Sequence, residues 1–166
     1  MKKFTVLLLS IGLFITAACL PEKETMETTN TPVIEIETPY AFATMPGAAT
    51  GAAFMVLNNI SDFDDALISV ESDIAEITEI HQNIIDPDDG TMMMRKIKQI
   101  DVPAGKTATL KPKGYHVMFI KLKEPLTLGA TTDIILNFEK SGAKNVTVEI
   151  KPPGMTPNMA AGHAQH

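Results

Sequence analysis

Apolar and polar residues alternate along this chain in short runs, separated at near-regular intervals by turn-forming residues. Val33-Ile34-Glu35-Ile36-Glu37 has the two-residue period of a strand, in which successive side chains face opposite ways, and Pro39 bounds it. Further β-rich runs occupy residues 52–59, 66–71, 74–81, 92–100, 107–110, 115–122, 132–139 and 146–150. Between them lie Met45-Pro46-Gly47-Ala48, an acidic turn at 62–65, Asp86-Pro87-Asp88-Asp89-Gly90, Pro103-Ala104-Gly105 and Lys111-Pro112-Lys113-Gly114. These are turn signals because Gly tolerates positive φ, Pro presets φ, and Asp bonds its own backbone. No stretch sustains a helical period. The pattern predicts an all-β sandwich or barrel, a single domain over residues 33–151.

The two ends depart from this pattern. Met1-Lys2-Lys3 gives a positive start, and residues 4–18 are almost unbroken apolar sequence, the layout of a signal peptide over 1–18. The run closes on Thr16-Ala17-Ala18-Cys19, which resembles a bacterial lipobox, except that Thr16 stands where an aliphatic residue is usual. Ordinary cleavage after Ala18 is the alternative. Lipidation of Cys19 would tether the protein to a membrane through acyl chains, facing the periplasm or extracytoplasmic space. Residues 19–32 then read as the lipidated cysteine and a polar, Thr- and Glu-rich tether. Residues 152–166 are Pro-, Gly-, Met-, Ala- and His-containing and read as a flexible tail.

Charge and composition narrow the function. A formal net charge of -6 argues against nucleic-acid binding. Cys19 is the only cysteine, so the folded part has no thiol for a disulfide, a zinc–cysteine cluster, a thiolate nucleophile or a blue-copper centre. The chain has no His-Glu-x-x-His, no Gly-x-Ser-x-Gly and no paired acid/base set, which argues against an enzyme. Ten methionines are a high share for this length, and they cluster. Met92-Met93-Met94 form a run, and Met118 follows His116 by two positions. On a strand His116 and Met118 face the same side, with Cα atoms roughly 6.6 Å apart. His81 is the other histidine of the domain. Methionine commonly fills core gaps, and a lone histidine is commonly structural. Two histidines near several methionines, however, make a set suited to one soft ion. Mixed thioether and imidazole donors favour Cu(I) over zinc, calcium or magnesium. In the tail, Met155, Met159, His163 and His166 offer a possible second site, for Cu(II) through the histidines, or are a chance grouping in a soluble terminus.

His81, Met94 and His116-x-Met118 resemble the signature of the PCuAC family of periplasmic copper(I) chaperones. The surrounding text is similar too: Met94-Arg95, Ile100-Asp101-Val102-Pro103-Ala104-Gly105, Leu110-Lys111-Pro112-Lys113-Gly114-Tyr115 and Leu122-Lys123-Glu124-Pro125-Leu126. Two departures are visible. Gln82 stands where the family often has Met, and the first gap is one residue longer than usual. Counting forward from His81 therefore reaches Met93, and counting back from His116 reaches Met94. Met94 is the better anchored choice, with Met92 and Met93 in reserve. The resemblance implies a cupredoxin-like Greek-key β-sandwich with an exposed Cu(I) site, in a monomer. It also implies delivery of copper to the CuA centre of cytochrome oxidase, with a Sco-type protein or an oxidase subunit as partner. A copper-sequestering resistance protein using the same site, or a metal-free structural β-domain on a lipid anchor, are the alternatives.

Overall fold

The computed structural model describes residues 31–154; Cys19, the leader, the tether up to residue 30 and the tail from Met155 lie outside them. The described residues form ten strands. These are β1 (Ile34–Phe42), β2 (Thr50–Asn59), β3 (Asp65–Glu71), β4 (Ala75–Ile85), β5 (Met92–Lys96), β6 (Ile100–Val102), β7 (Thr107–Leu110), β8 (Tyr115–Leu122), β9 (Thr131–Phe138) and β10 (Gly142–Lys151). They hydrogen-bond in the order β5-β4-β8-β7-β2-β1-β10-β9-β3-β6, and β8 also pairs directly with β2. This one sheet coils back on itself, so that β3 packs against β4, and β6 against β7 and β2. The core lies between the two halves. Met55, Leu57, Leu67, Ile100, Val117, Phe119, Leu126, Leu136 and Val148 are all fully buried there.

The strands differ from the alternation pattern at three places that shape the site. First, Pro39 does not end β1. The strand runs on through a bulge between Glu37 and Tyr40, with Thr38 at a φ of 47°. The extra residue reverses the alternation. Ile34 and Ala41 face the core, whereas Tyr40 and Phe42 join the opposite face of the sheet. There they pack with Phe54 of β2, at ring separations of 5.2 Å each. Second, residues 92–100 are not one strand. β5 pairs with β4 at one end of the sheet and β6 pairs with β3 at the other, so the short link between them crosses the open side of the sandwich. Ile97 anchors the crossing, its amide donating to the Ile80 carbonyl at 2.9 Å. Third, β4 continues to Ile85, which puts His81 in mid-strand between two neighbours instead of at a strand end.

Asp65 secures the far end of the molecule. Its buried carboxylate accepts from the amides of Ala66, Lys140 and Ser141 and from the Ser141 hydroxyl, tying β3 to the β9–β10 turn. Burial pulls this carboxyl upward, but the four hydrogen bonds outweigh it and hold the group below the ordinary aspartate value.

Candidate metal centre

β8 carries the centre. Val117 and Phe119 enter the core, so His116 and Met118 face the other way. β4 lies antiparallel beside it in a register that sets His81 directly opposite His116 and Glu79 directly opposite Met118. β5 adds the next lane, with Lys96 opposite His81 and Met94 opposite Asn83. The two imidazoles thus sit side by side, with Met94 and Met118 as diagonal neighbours of His81 on either flank. Opposite and diagonal cross-strand neighbours lie about 5 and 7–8 Å apart, within reach of long side chains. Alternation also sorts the methionine run. Met92 and Met94 share the histidine face, while Met93 pairs with Ile84 and faces away. Met92 and Met94 are about half exposed at the sheet edge, and Ile85, opposite Met92, is more exposed still.

The hydrogen bonds fix how each imidazole is presented. His116 is 2 % exposed, and its Nδ1 lies 3.0 Å from the Gly114 carbonyl. A carbonyl only accepts, so Nδ1 carries the proton and Nε2 keeps its lone pair. The Lys111–Gly114 turn, with Lys113 at a φ of 65°, aims that carbonyl, which also accepts from the Asn83 amide at 3.1 Å. His81 is arranged the opposite way. Its Nε2 lies 2.8 Å from Glu79 Oε2, and Glu79 Oε1 accepts from Lys96 Nζ at 2.7 Å. Among the described residues, the only buried side-chain nitrogen or oxygen atoms without a partner are His81 Nδ1 and His116 Nε2. Buried polar atoms are almost always paired, so two adjacent orphans, both lone-pair donors, point to a guest.

The donor set fits a soft monovalent ion. The two rings are 5.9 Å apart. With metal–nitrogen bonds of roughly 2 Å and ring nitrogens about 1 Å from their ring centres, one ion can join centres up to ~6 Å apart. Among the described residues no group of three or more His, Cys, Asp or Glu side chains gathers to hold a metal. The thioethers of Met94 and Met118, on the same face, are the soft donors beside the two imidazoles. Burial pushes the His116 imidazole below its ordinary value, against the upward pull of the Gly114 bond, and the neighbouring His81 lowers it further. His116 thus stays neutral, and able to donate its lone pair, at lower pH than a free histidine. Phe54, with its ring 6.3 Å from that of His116, closes the side toward β2.

Sequence reasoning singles out four of these residues and misses Glu79, Gly114, Lys96 and Phe54. Glu79-x-His81 on one strand face is the available signal. The pairing of β4 with β8 and β5, which gives Glu79 its role, is not. Met155, Met159, His163 and His166 lie outside the described residues.

Residues 34–150 match the model of the protein family described as "Putative lipoprotein LpqE-like". The chain belongs to the LpqE-like family. A relative from Leifsonia xyli subsp. xyli (strain CTCB07), "Putative lipoprotein Lxx21020", is 26% identical over 152 residues, covering 91% of this chain and 89% of that protein. Among solved structures, the "Copper-bound PCuAC domain from PmoF2" superposes with a TM-score of 0.62 at 24% identity, covering 74% of this chain and 96% of that one. The "Solution structure of CuI-DR1885 from Deinococcus Radiodurans" gives 0.56 at 27% identity, over 72% of this chain and 80% of that one. This LpqE-like chain therefore has the cupredoxin-like β fold of the PCuAC domains, in a single domain.

Proposed function

We infer that this LpqE-like protein is an exported Cu(I)-binding metallochaperone, anchored to the membrane through lipidated Cys19, and that His81, Met94, His116 and Met118 hold the ion. The observation that carries this reading is the pair of unpartnered imidazole nitrogens, buried side by side beneath a sheet edge with methionines on the same face. The similarity to a Cu(I)-bound structure at 27% identity supports the choice of ion. Neutral thioethers and imidazoles leave the charge of Cu(I) uncompensated, and half-exposed Met94 leaves the site open to a partner. Both features suit a carrier that must release its cargo. Transfer to a CuA-type oxidase centre, directly or through a Sco-type protein, is the delivery this reading assigns. The residues of 19–32 would serve as the tether and those of 152–166 as a tail with a second, Cu(II)-binding group at Met155, Met159, His163 and His166. Competition titration of the reduced protein against a Cu(I) chelator tests the site. One equivalent bound at His81 and His116 is expected, and absence of competition contradicts it. Deleting the gene should lower CuA-oxidase activity in a way that added copper restores. Copper sensitivity with normal oxidase activity would instead indicate sequestration.

A further inference from the structure

We propose that Glu79 is the positioning residue of the copper site, selecting Nδ1 of His81 as its donor and tying that imidazole to the strand that carries Met94. The proposal rests on Cu(I) binding at this site and extends it beyond the ligands. Its basis is a chain of contacts on one sheet face. Lys96 Nζ holds Glu79 Oε1 at 2.7 Å, and Glu79 Oε2 holds His81 Nε2 at 2.8 Å. An ionised carboxylate can only accept, so the His81 proton must sit on Nε2. The remaining nitrogen, Nδ1, is buried and unpartnered. At His116 the Gly114 carbonyl makes the opposite selection and leaves Nε2 free. The two rings therefore meet an ion through different nitrogens, one turned by a carboxylate and the other by a backbone carbonyl.

The two devices differ in chemistry. The Gly114 carbonyl is a fixed dipole that can orient its imidazole and do little else. Glu79 carries a charge, and a carboxylate accepting from the far nitrogen raises the electron-donating power of a ligating ring. Lys96 engages the second oxygen from the solvent side. Because Lys96 lies on β5 two residues from Met94, the same contact links His81 to the edge strand. Glu79 itself is opposite Met118 and only 19% exposed, so it lies within the site and not on its rim.

Tautomers and affinity can be read separately on the full chain. In the copper-free protein at pH 8, long-range 15N–1H correlation spectra should show His81 as a single Nε2–H tautomer and His116 as Nδ1–H. Glu79→Leu should leave His116 unchanged, give His81 spectra averaged over both tautomers, and weaken Cu(I) binding by about 10–100-fold. Glu79→Gln keeps the shape and one acceptor oxygen. It should fall between wild type and the Leu variant, and it is the variant to read if Leu does not fold. A proton on Nδ1 of His81 in the wild type overturns the proposal. So does a Glu79→Leu protein, or in its place Glu79→Gln, that binds Cu(I) as tightly as wild type. A wild-type protein that binds no Cu(I) while showing the expected tautomers overturns the copper reading itself, and the ligand role assigned to Nδ1 falls with it.

Discussion

Replacing His116 by leucine separates a metal ligand from a structural histidine, because the two roles predict opposite changes in stability. In the copper-free protein the substitution removes one hydrogen bond, from Nδ1 to the Gly114 carbonyl, worth about 1 kcal/mol. That carbonyl is not orphaned, since it keeps the Asn83 amide. The substitution also removes a buried nitrogen that has no partner, and such a group costs about 1–3 kcal/mol. The balance runs from neutral to about 2 kcal/mol in favour of leucine. For a domain of this size that corresponds to a melting temperature unchanged or raised by up to ~8 °C. Copper reverses the order. At a free Cu(I) concentration 100 times the dissociation constant, a bound ion stabilises the wild type by ~2.7 kcal/mol, and the variant should gain almost none of it. Thermal or urea melts with and without Cu(I) under reducing conditions measure both numbers. A copper-free variant destabilised by about 3 kcal/mol or more, with the copper-induced shift intact, would mark His116 as a core residue and refute the reasoning.

The register and the far end of the fold give further predictions. Met94→Ala should weaken Cu(I) affinity sharply while Met93→Ala leaves it unchanged, because Met94 shares the face of the imidazoles and Met93 does not; equal effects in a competition titration would contradict this assignment. Asp65→Asn should destabilise the domain by about 2–3 kcal/mol in urea melts, since a charged acceptor of four hydrogen bonds becomes neutral. Because the folded Asp65 titrates below its unfolded value near 3.9, its contribution is present above that pH. The contribution is lost as pH falls through the folded value, so the wild-type acid transition should be steeper than that of Asp65→Asn. Cys19→Ser should move the protein from the membrane fraction to the soluble extracytoplasmic fraction, and unchanged membrane association would rule out lipidation at that residue. Truncation after Pro153 should lower Cu(II) stoichiometry, and an undiminished stoichiometry would show that the tail is idle.

The fold is legible wherever a strand obeys simple alternation between clear turns. Residues 107–110 and 115–122 read with the bounds they have, because Pro-Ala-Gly and Lys-Pro-Lys-Gly leave no other choice. Alternation fails where the backbone inserts a residue. At Thr38-Pro39 the bulge moves Tyr40 and Phe42 to the opposite face of the sheet, against Phe54, and nothing in the residue types announces it. It fails again at residues 92–100, where one β-rich run changes partners from β4 to β3, since the sequence records strand propensity and not neighbours. The site shows the same division. His116-x-Met118 is a local pattern that can be read directly. The opposition of His81 to His116 and of Glu79 to Met118 is a matter of register between strands more than thirty residues apart in sequence, which only the folded sheet specifies.

X-ray absorption at the copper edge of the Cu(I)-loaded protein tests the four-ligand site most directly. The expected result is one mixed shell of two sulfur and two nitrogen scatterers, with imidazole outer-shell features that halve in His116→Leu and a sulfur contribution that falls in Met94→Ala. A shell of oxygen and nitrogen alone, or one unaltered by both substitutions, would contradict it.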